Sequence, residues 1–161
     1  MSTTTTAVDT DLRAKREAVL RAHLAGETAM DVDAVLATMV DPPVYDLVTI
    51  DTVLRGRDQV GRLLQTMFDA LPGIVHRGVR FHHADDAVVV EVETDFPNGL
   101  DGSTPGQVFT VKTVGIFPFD GERSLGEKVY GDMAALAPHL DWVEPAPSRP
   151  PDPDRGNDPV E

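Results

Sequence analysis

Cysteine is absent from this chain of 161 residues, so disulfides, zinc–thiolate centres and thiol nucleophiles are all excluded. Basic residues are scarce. Fourteen Lys and Arg stand against 27 Asp and Glu, giving a formal net charge of −13. Nucleic acid is therefore not an expected partner, since phosphate contacts need clustered cations. An anionic membrane surface is disfavoured for the same reason. No apolar run approaches the ~20 residues of a membrane span, and the N-terminus "MSTTTTAVDTDL" lacks the basic-then-apolar layout of a secretory signal. The expected location is cytoplasmic. Also missing are a phosphate-binding glycine loop, a dinucleotide fingerprint, a nucleophile elbow and an H-E-x-x-H pair.

What is present is one domain with two polar ends. Residues 1–8 are Thr-rich, and 144–161 ("EPAPSRPPDPDRGNDPVE") combine Pro and Asp with almost nothing to bury. Both ends are expected to be disordered, because such compositions cannot offset the entropy of ordering. The folded unit is expected over 9–143.

Periodicity predicts three helices. Leu12, Val19, Leu20, His23 and Leu24 share one face; Val32, Val35, Leu36 and Met39 share another, with Asp31 as N-cap and Pro42-Pro43 as terminator. Val60, Leu63, Leu64, Met67 and Leu71 form a third stripe, closed by Pro72-Gly73. The remainder reads as strands: "PVYDLVTID", "TVLRG", "IVHRGVRFHH", "AVVVEVETDF", "QVFTVKTVGIFPF" and "SLGEKVY", followed by a short helix "MAALAPHL". Helices first and antiparallel strands afterwards indicate an α+β fold with helices on one face of a curved sheet.

Chemistry has to come from carboxylates, tyrosines and histidines on these elements. In "VVVEVETDF" the period of two puts Glu91, Glu93 and Asp95 on one face and Val88, Val90 and Val92 on the other. The acids either face water or line a cavity near the strand's end. Asp132, between "EKVYG" and "MAAL", is either an ordinary N-cap or a carboxylate at a pocket floor whose pKa an apolar site would raise. Tyr130 precedes it by two residues on the same face. His82 and His83 flank a turn beside Asp85 and Asp86, where adjacent side chains diverge, so no metal site is expected there. His76 reads as a pocket base or a surface residue, His23 as a core histidine, and His139 carries no functional argument.

The order of elements, "GRDQV" opening the third helix, and the ending "FPFDGER…EKVYGD" resemble the SnoaL-like polyketide cyclase family of the nuclear transport factor 2-like superfamily. The resemblance covers about residues 9–143. It implies a cone-shaped, strongly curved, mostly antiparallel sheet wrapped around N-terminal helices with an internal pocket, and a homodimer formed through the outer sheet face. It also implies acid/base chemistry on a small apolar oxygenated metabolite, such as a polyketide, with neither cofactor nor metal. There is further similarity to limonene epoxide hydrolase-like and polyether ring-forming enzymes. On that template "YGD" and "ETD" make Asp132 and Asp95 the acid/base pair, with Tyr130 and Tyr45 donating hydrogen bonds. Glu93 and Leu47 stand where the template has an Arg and an Asn, so an intact water-activating triad is not implied. Cyclisation, isomerisation or dehydration then suits the pair better than hydrolysis. His76, Phe117, Leu47 and Glu93 are the expected substrate-binding residues, and a non-catalytic ligand-binding role is the alternative.

Overall fold

The computed structural model describes residues 10–97, 104–132 and 141–142. The two polar ends, most of the loop after Pro97 and the helix expected over 133–140 lie outside these residues. Helix α1 spans Thr10–Thr28, α2 Val32–Ala37 and α3 Gly56–Ala70. Strands β1 (Met39–Leu47), β2 (Thr52–Arg55), β3 (Val75–His83), β4 (Ala87–Phe96), β5 (Phe109–Asp120) and β6 (Arg123–Tyr130) form one sheet. Their spatial order is β2-β1-β6-β5-β4-β3. The fold is α+β with a mixed sheet, because β1 runs parallel to β6 while every other pairing is antiparallel.

The helices form where the apolar stripes dictate. Asp31 caps α2, its carboxylate accepting the Ala34 N–H at 3.0 Å, a contact of about 1 kcal/mol. The expected end of α2 needs one revision. β1 begins at Met39, so Pro42 and Pro43 lie inside a strand rather than after a helix. Pairing between β1 and β6 is interrupted between Met39 and Val44, and this irregularity accommodates prolines that lack a ladder N–H.

Two features of the sheet decide what faces the helices. Between Ile116 and Phe119 of β5, β6 carries one more residue than its partner. This bulge lies around Gly126, whose φ of +139° and closeness to the Val44 carbonyl leave no room for a side chain. An extra residue inverts the strand's alternation. Ser124 and Gly126 are buried before the bulge, and Glu127 and Val129 turn inward after it. Gly115 of β5 supplies the space. A β-carbon there would fall 2.5 Å from Glu127 Oε1 and 2.8 Å from Phe117.

The core has two parts. Leu20, Val88, Val90, Phe117 and Phe119 fill one. Residues of α2, α3, β1 and β6, among them Leu36, Leu64, Phe68 and Val129, fill the other. Polar side chains from α1 and from β1, β3, β4, β5 and β6 meet next to these clusters, on the face of the sheet toward the helices.

Candidate active site

A cavity of about 90 Å³ opens between the sheet and helices α1 and α3. Its walls are mainly apolar: Leu24, Leu47, Leu63, Leu64, Met67, Ile74, Val92, Phe96, Val111 and Val129. Its polar groups are Glu27, Tyr45, His76, Thr94, Thr113, Glu127 and, at the exposed end of β6, Asp132.

Helix α1 supplies His23 and Glu27, four residues apart and therefore on one face. His23 is 1% exposed. Its Nδ1 lies 2.8 Å from the Thr38 hydroxyl, and that hydroxyl already donates to the Val35 carbonyl at 2.6 Å. Thr38 must then accept from His23, which places a proton on Nδ1 and leaves Nε2 toward the cavity. Nε2 is 2.9 Å from the Tyr45 hydroxyl, 3.6 Å from Glu27 and 3.9 Å from Glu127. Tyr45 and Glu127 are register partners on parallel neighbours, so their side chains project to the same side, and the Tyr45 hydroxyl lies beside the Glu127 carboxyl. On β3 and β4, register partners His76 and Thr94 share a hydrogen bond of 2.9 Å from His76 Nδ1. His76 Nε2 lies 2.9 Å from Glu27 Oε2, off the line of a hydrogen bond.

The two carboxyl groups are driven apart in acidity. Burial alone would raise Glu27, but the His23 and His76 rings beside it hold it down at about 2. Glu127 goes the other way: burial and the negative charge of Glu27 push it up to about 8, only partly offset by His23 and Tyr45. Burial opposes the His23 imidazolium, yet Glu27 and Glu127 outweigh it and keep the ring above its ordinary value. Burial, with Glu127 and Glu27 nearby, raises the Tyr45 hydroxyl well above its usual range, so it stays a donor. The Tyr45 hydroxyl, hydrogen-bonded to His23, and the Glu127 carboxyl stand side by side at an apolar cavity. Glu27 is held as the carboxylate and Glu127 toward the neutral acid, with the His23 ring above its ordinary value. This is the pattern of two carboxyls with separate acid and base states.

Several residues expected from the sequence meet here and others do not. Tyr45, Leu47, His76 and Asp132 line the cavity. Asp95 does not. It sits on the outer face of β4, accepting from Arg77 and Thr110 at 2.7 Å each, and those hydrogen bonds hold it below the usual carboxylate range. Glu93 is on that outer face too, 3.6 Å from Lys112. Tyr130 is 38% exposed, turned outward by the bulge. Phe117, 2% exposed, packs its edge against His23 with ring centres 5.4 Å apart, behind the cavity wall. Asp95 and Asp132 are thus not brought together, and the carboxyl pair of the cavity is Glu27 and Glu127. Asp95→Asn is expected to leave ligand binding and turnover at wild-type levels when the two proteins are assayed side by side. His82 pairs with Glu91 and His83 with Glu17, each at 3.0 Å, on different sides of the strand.

Glu27 and Glu127 are not among the residues that the sequence pattern singles out. A signal exists for the first, since an acid four residues after a core histidine shares its face. For Glu127 the inward direction depends on a bulge that only strand pairing reveals.

A family model described as a SnoaL-like domain matches residues 20–124. No curated protein matches the sequence. Among solved structures, the fold is similar to a hypothetical protein with a ketosteroid isomerase-like fold from Catenulispora acidiphila, in complex with trimethylamine. That match has 16% identity and a TM-score of 0.64, covering 75% of this chain and 90% of that one. It is similar also to the epoxide hydrolase/cyclase-like enzyme SalBIII of pyran ring formation in the polyether salinomycin, at 16% identity and a TM-score of 0.64, covering 76% and 95%. An LEH-like epoxide hydrolase of M. tuberculosis matches at 22% identity and a TM-score of 0.59, covering 79% and 90%.

Proposed function

The chain belongs to the SnoaL-like family, and from that premise we propose that it is a cofactor-free acid/base enzyme. Its substrate is a small apolar metabolite carrying a carbonyl group, and its reaction is a proton transfer of the isomerase, dehydratase or cyclase kind. The observation that carries the reading is the second buried carboxyl, Glu127, beside His23 and Tyr45 at an apolar cavity that Glu27 and His76 also line.

Glu127 donates its proton to the substrate oxygen as negative charge develops there. His76 takes a proton from the neighbouring carbon through Nε2, the ring atom left without an in-line partner. Ionised Glu27, 2.9 Å from that nitrogen, stabilises the imidazolium so formed. Removing a carbon-bound proton while protonating the oxygen yields an enol. Reprotonation at another carbon gives isomerisation, loss of a β-hydroxyl gives dehydration, and attack on an internal electrophile closes a ring. The apolar walls strengthen each of these interactions by excluding water. Asp132, on the rim, orients a polar group of the part of the substrate that projects from the cavity. Pairing of two copies through the outer sheet face, where Leu125 and Tyr130 are each 38% exposed, belongs to the same reading and is tested by light scattering.

The test needs no knowledge of the natural substrate. Cyclic ketones and β-keto esters are incubated in D2O, and deuterium entry at the acidic carbon is followed by NMR. Wild-type protein is expected to accelerate exchange, and His76→Gln to slow it by about 10²–10⁴-fold, the usual contribution of a positioned base. Acceleration that survives His76→Gln unchanged would remove His76 from the mechanism, and none in wild type across the panel would leave ligand binding as the function. Epoxide opening is the second reading, supported by the same proton donor and the fold shared with the mycobacterial epoxide hydrolase. It predicts label from H2(18)O in a diol product.

A further inference from the structure

His76 can act as a base only while its Nε2 is free of a proton. A neutral imidazole carries a single proton, on Nδ1 or on Nε2. Two groups compete to receive it, each at 2.9 Å: the Thr94 hydroxyl at Nδ1 and the Glu27 carboxylate at Nε2. Distance does not separate them, but direction does. The Nδ1 contact has the geometry of a hydrogen bond, whereas a proton on Nε2 would have no in-line acceptor among the described residues. We infer that Thr94 is a positioning residue, whose hydroxyl holds the His76 proton on Nδ1 and keeps the Nε2 lone pair for the substrate. This role rests on the assignment of His76 as the base.

The sheet builds this contact. His76 and Thr94 stand directly opposite on antiparallel neighbours, so their side chains share one face. The pairing of β3 with β4 shifts between Arg77 and Arg80, around Gly78 with its φ of +60°, a conformation that suits glycine. Because of that bulge His76 lies on the same side as Val79, Phe81 and His83, although unbroken alternation from Val79 would turn it out. Thr94 is buried and the His76 side chain is 9% exposed, which leaves water little access to either partner. When Nε2 takes a proton, both ring nitrogens become donors. Nδ1–H then stays on Thr94, and Glu27 at 2.9 Å supplies the countercharge at Nε2. Without the hydroxyl, a proton on Nδ1 is a buried donor with no acceptor, and Glu27 draws it to Nε2 instead. The ring would then present an N–H to the cavity where the reaction needs a lone pair.

The tautomer is read without any substrate, in the full chain labelled with nitrogen-15. Long-range proton–nitrogen NMR spectra separate a protonated ring nitrogen from one with a lone pair, and the His76 signals are those lost in His76→Gln. At alkaline pH the proton is expected on Nδ1 in wild type and in Thr94→Ser, and on Nε2 in Thr94→Val. In the D2O exchange assay Thr94→Val is expected to lower kcat by about 10–100-fold with KM unchanged, the factor for one buried donor left without its partner. Thr94→Ser is expected to restore most of that loss, with circular dichroism checking that each variant is folded. A proton on Nε2 in wild type, or on Nδ1 in Thr94→Val, overturns the proposal. An inverted tautomer with exchange unchanged upholds the hold of Thr94 on the ring and instead removes His76 as the base, so the two assignments fail separately.

Discussion

Replacing Glu127 by Gln is expected to lower kcat by about 10²–10⁴-fold, the range for loss of a general acid. The amide keeps the shape but has no acidic proton to give. In the wild-type enzyme the working form is the protonated one, so activity is expected to be flat in neutral solution and to fall as pH rises through about 8, where Glu127 ionises. A profile that instead rises through that range would make the carboxylate a base and reverse the assigned roles.

Glu127→Gln also has a signature in stability that is independent of any substrate. The folded-state value of about 8 lies above the ordinary 4.5, so the folded protein holds a proton that the unfolded chain releases between those values. The stabilisation linked to that proton is complete below about 4.5 and is lost as pH rises through about 8. Urea denaturation at several pH values is expected to show wild type losing ground to Glu127→Gln across this window. Equal slopes for the two proteins would contradict the buried, neutral carboxyl.

The second large effect is on folding. Glu27→Gln is expected to destabilise the protein at neutral pH by roughly 3–5 kcal/mol, the usual cost of removing one partner from a buried charged pair. Glu27 is 9% exposed and lies between His23 and His76. Without its charge, the His23 imidazolium has only the neutral Glu127 and Tyr45 before it, and must release its proton or remain uncompensated. The sign of the pH dependence is opposite to that of Glu127. Held at about 2 against an ordinary 4.5, Glu27 contributes stability that is present above about 4.5 and disappears as pH falls through about 2. The deficit of Glu27→Gln is therefore expected in full at pH 7 and to shrink toward pH 2. A variant as stable as wild type at pH 7 would mean that water already screens this group.

How far the site is legible in the sequence differs from one element to the next. On β4 the alternation of Val88, Val90 and Val92 with Glu91, Glu93 and Asp95 is a local pattern that puts the acids on one face without saying whether it meets water or a cavity, and the structure turns that face outward. Arg77 and Thr110 then claim Asp95 from neighbouring strands. On α1 the four-residue spacing of His23 and Glu27 is enough to put both on the apolar face of the helix. What they bond to is another matter, since Thr38, Tyr45, His76 and Glu127 come from later parts of the chain.

On β6, period-two reading groups Tyr130 with Asp132 and says nothing of Glu127. The bulge at Gly126 reverses that order, turning Tyr130 out and Glu127 in. Composition, apolar periodicity and the Asp31 cap are sufficient for the three helices, the strands and the α+β class, because those are decided by interactions a few residues apart. The choice of Glu127 over Asp95 as the acid of the cavity is left to strand pairing. Which face a strand presents after a bulge, and how acidic a carboxyl is once buried beside another, depend on neighbours that only the tertiary fold brings together.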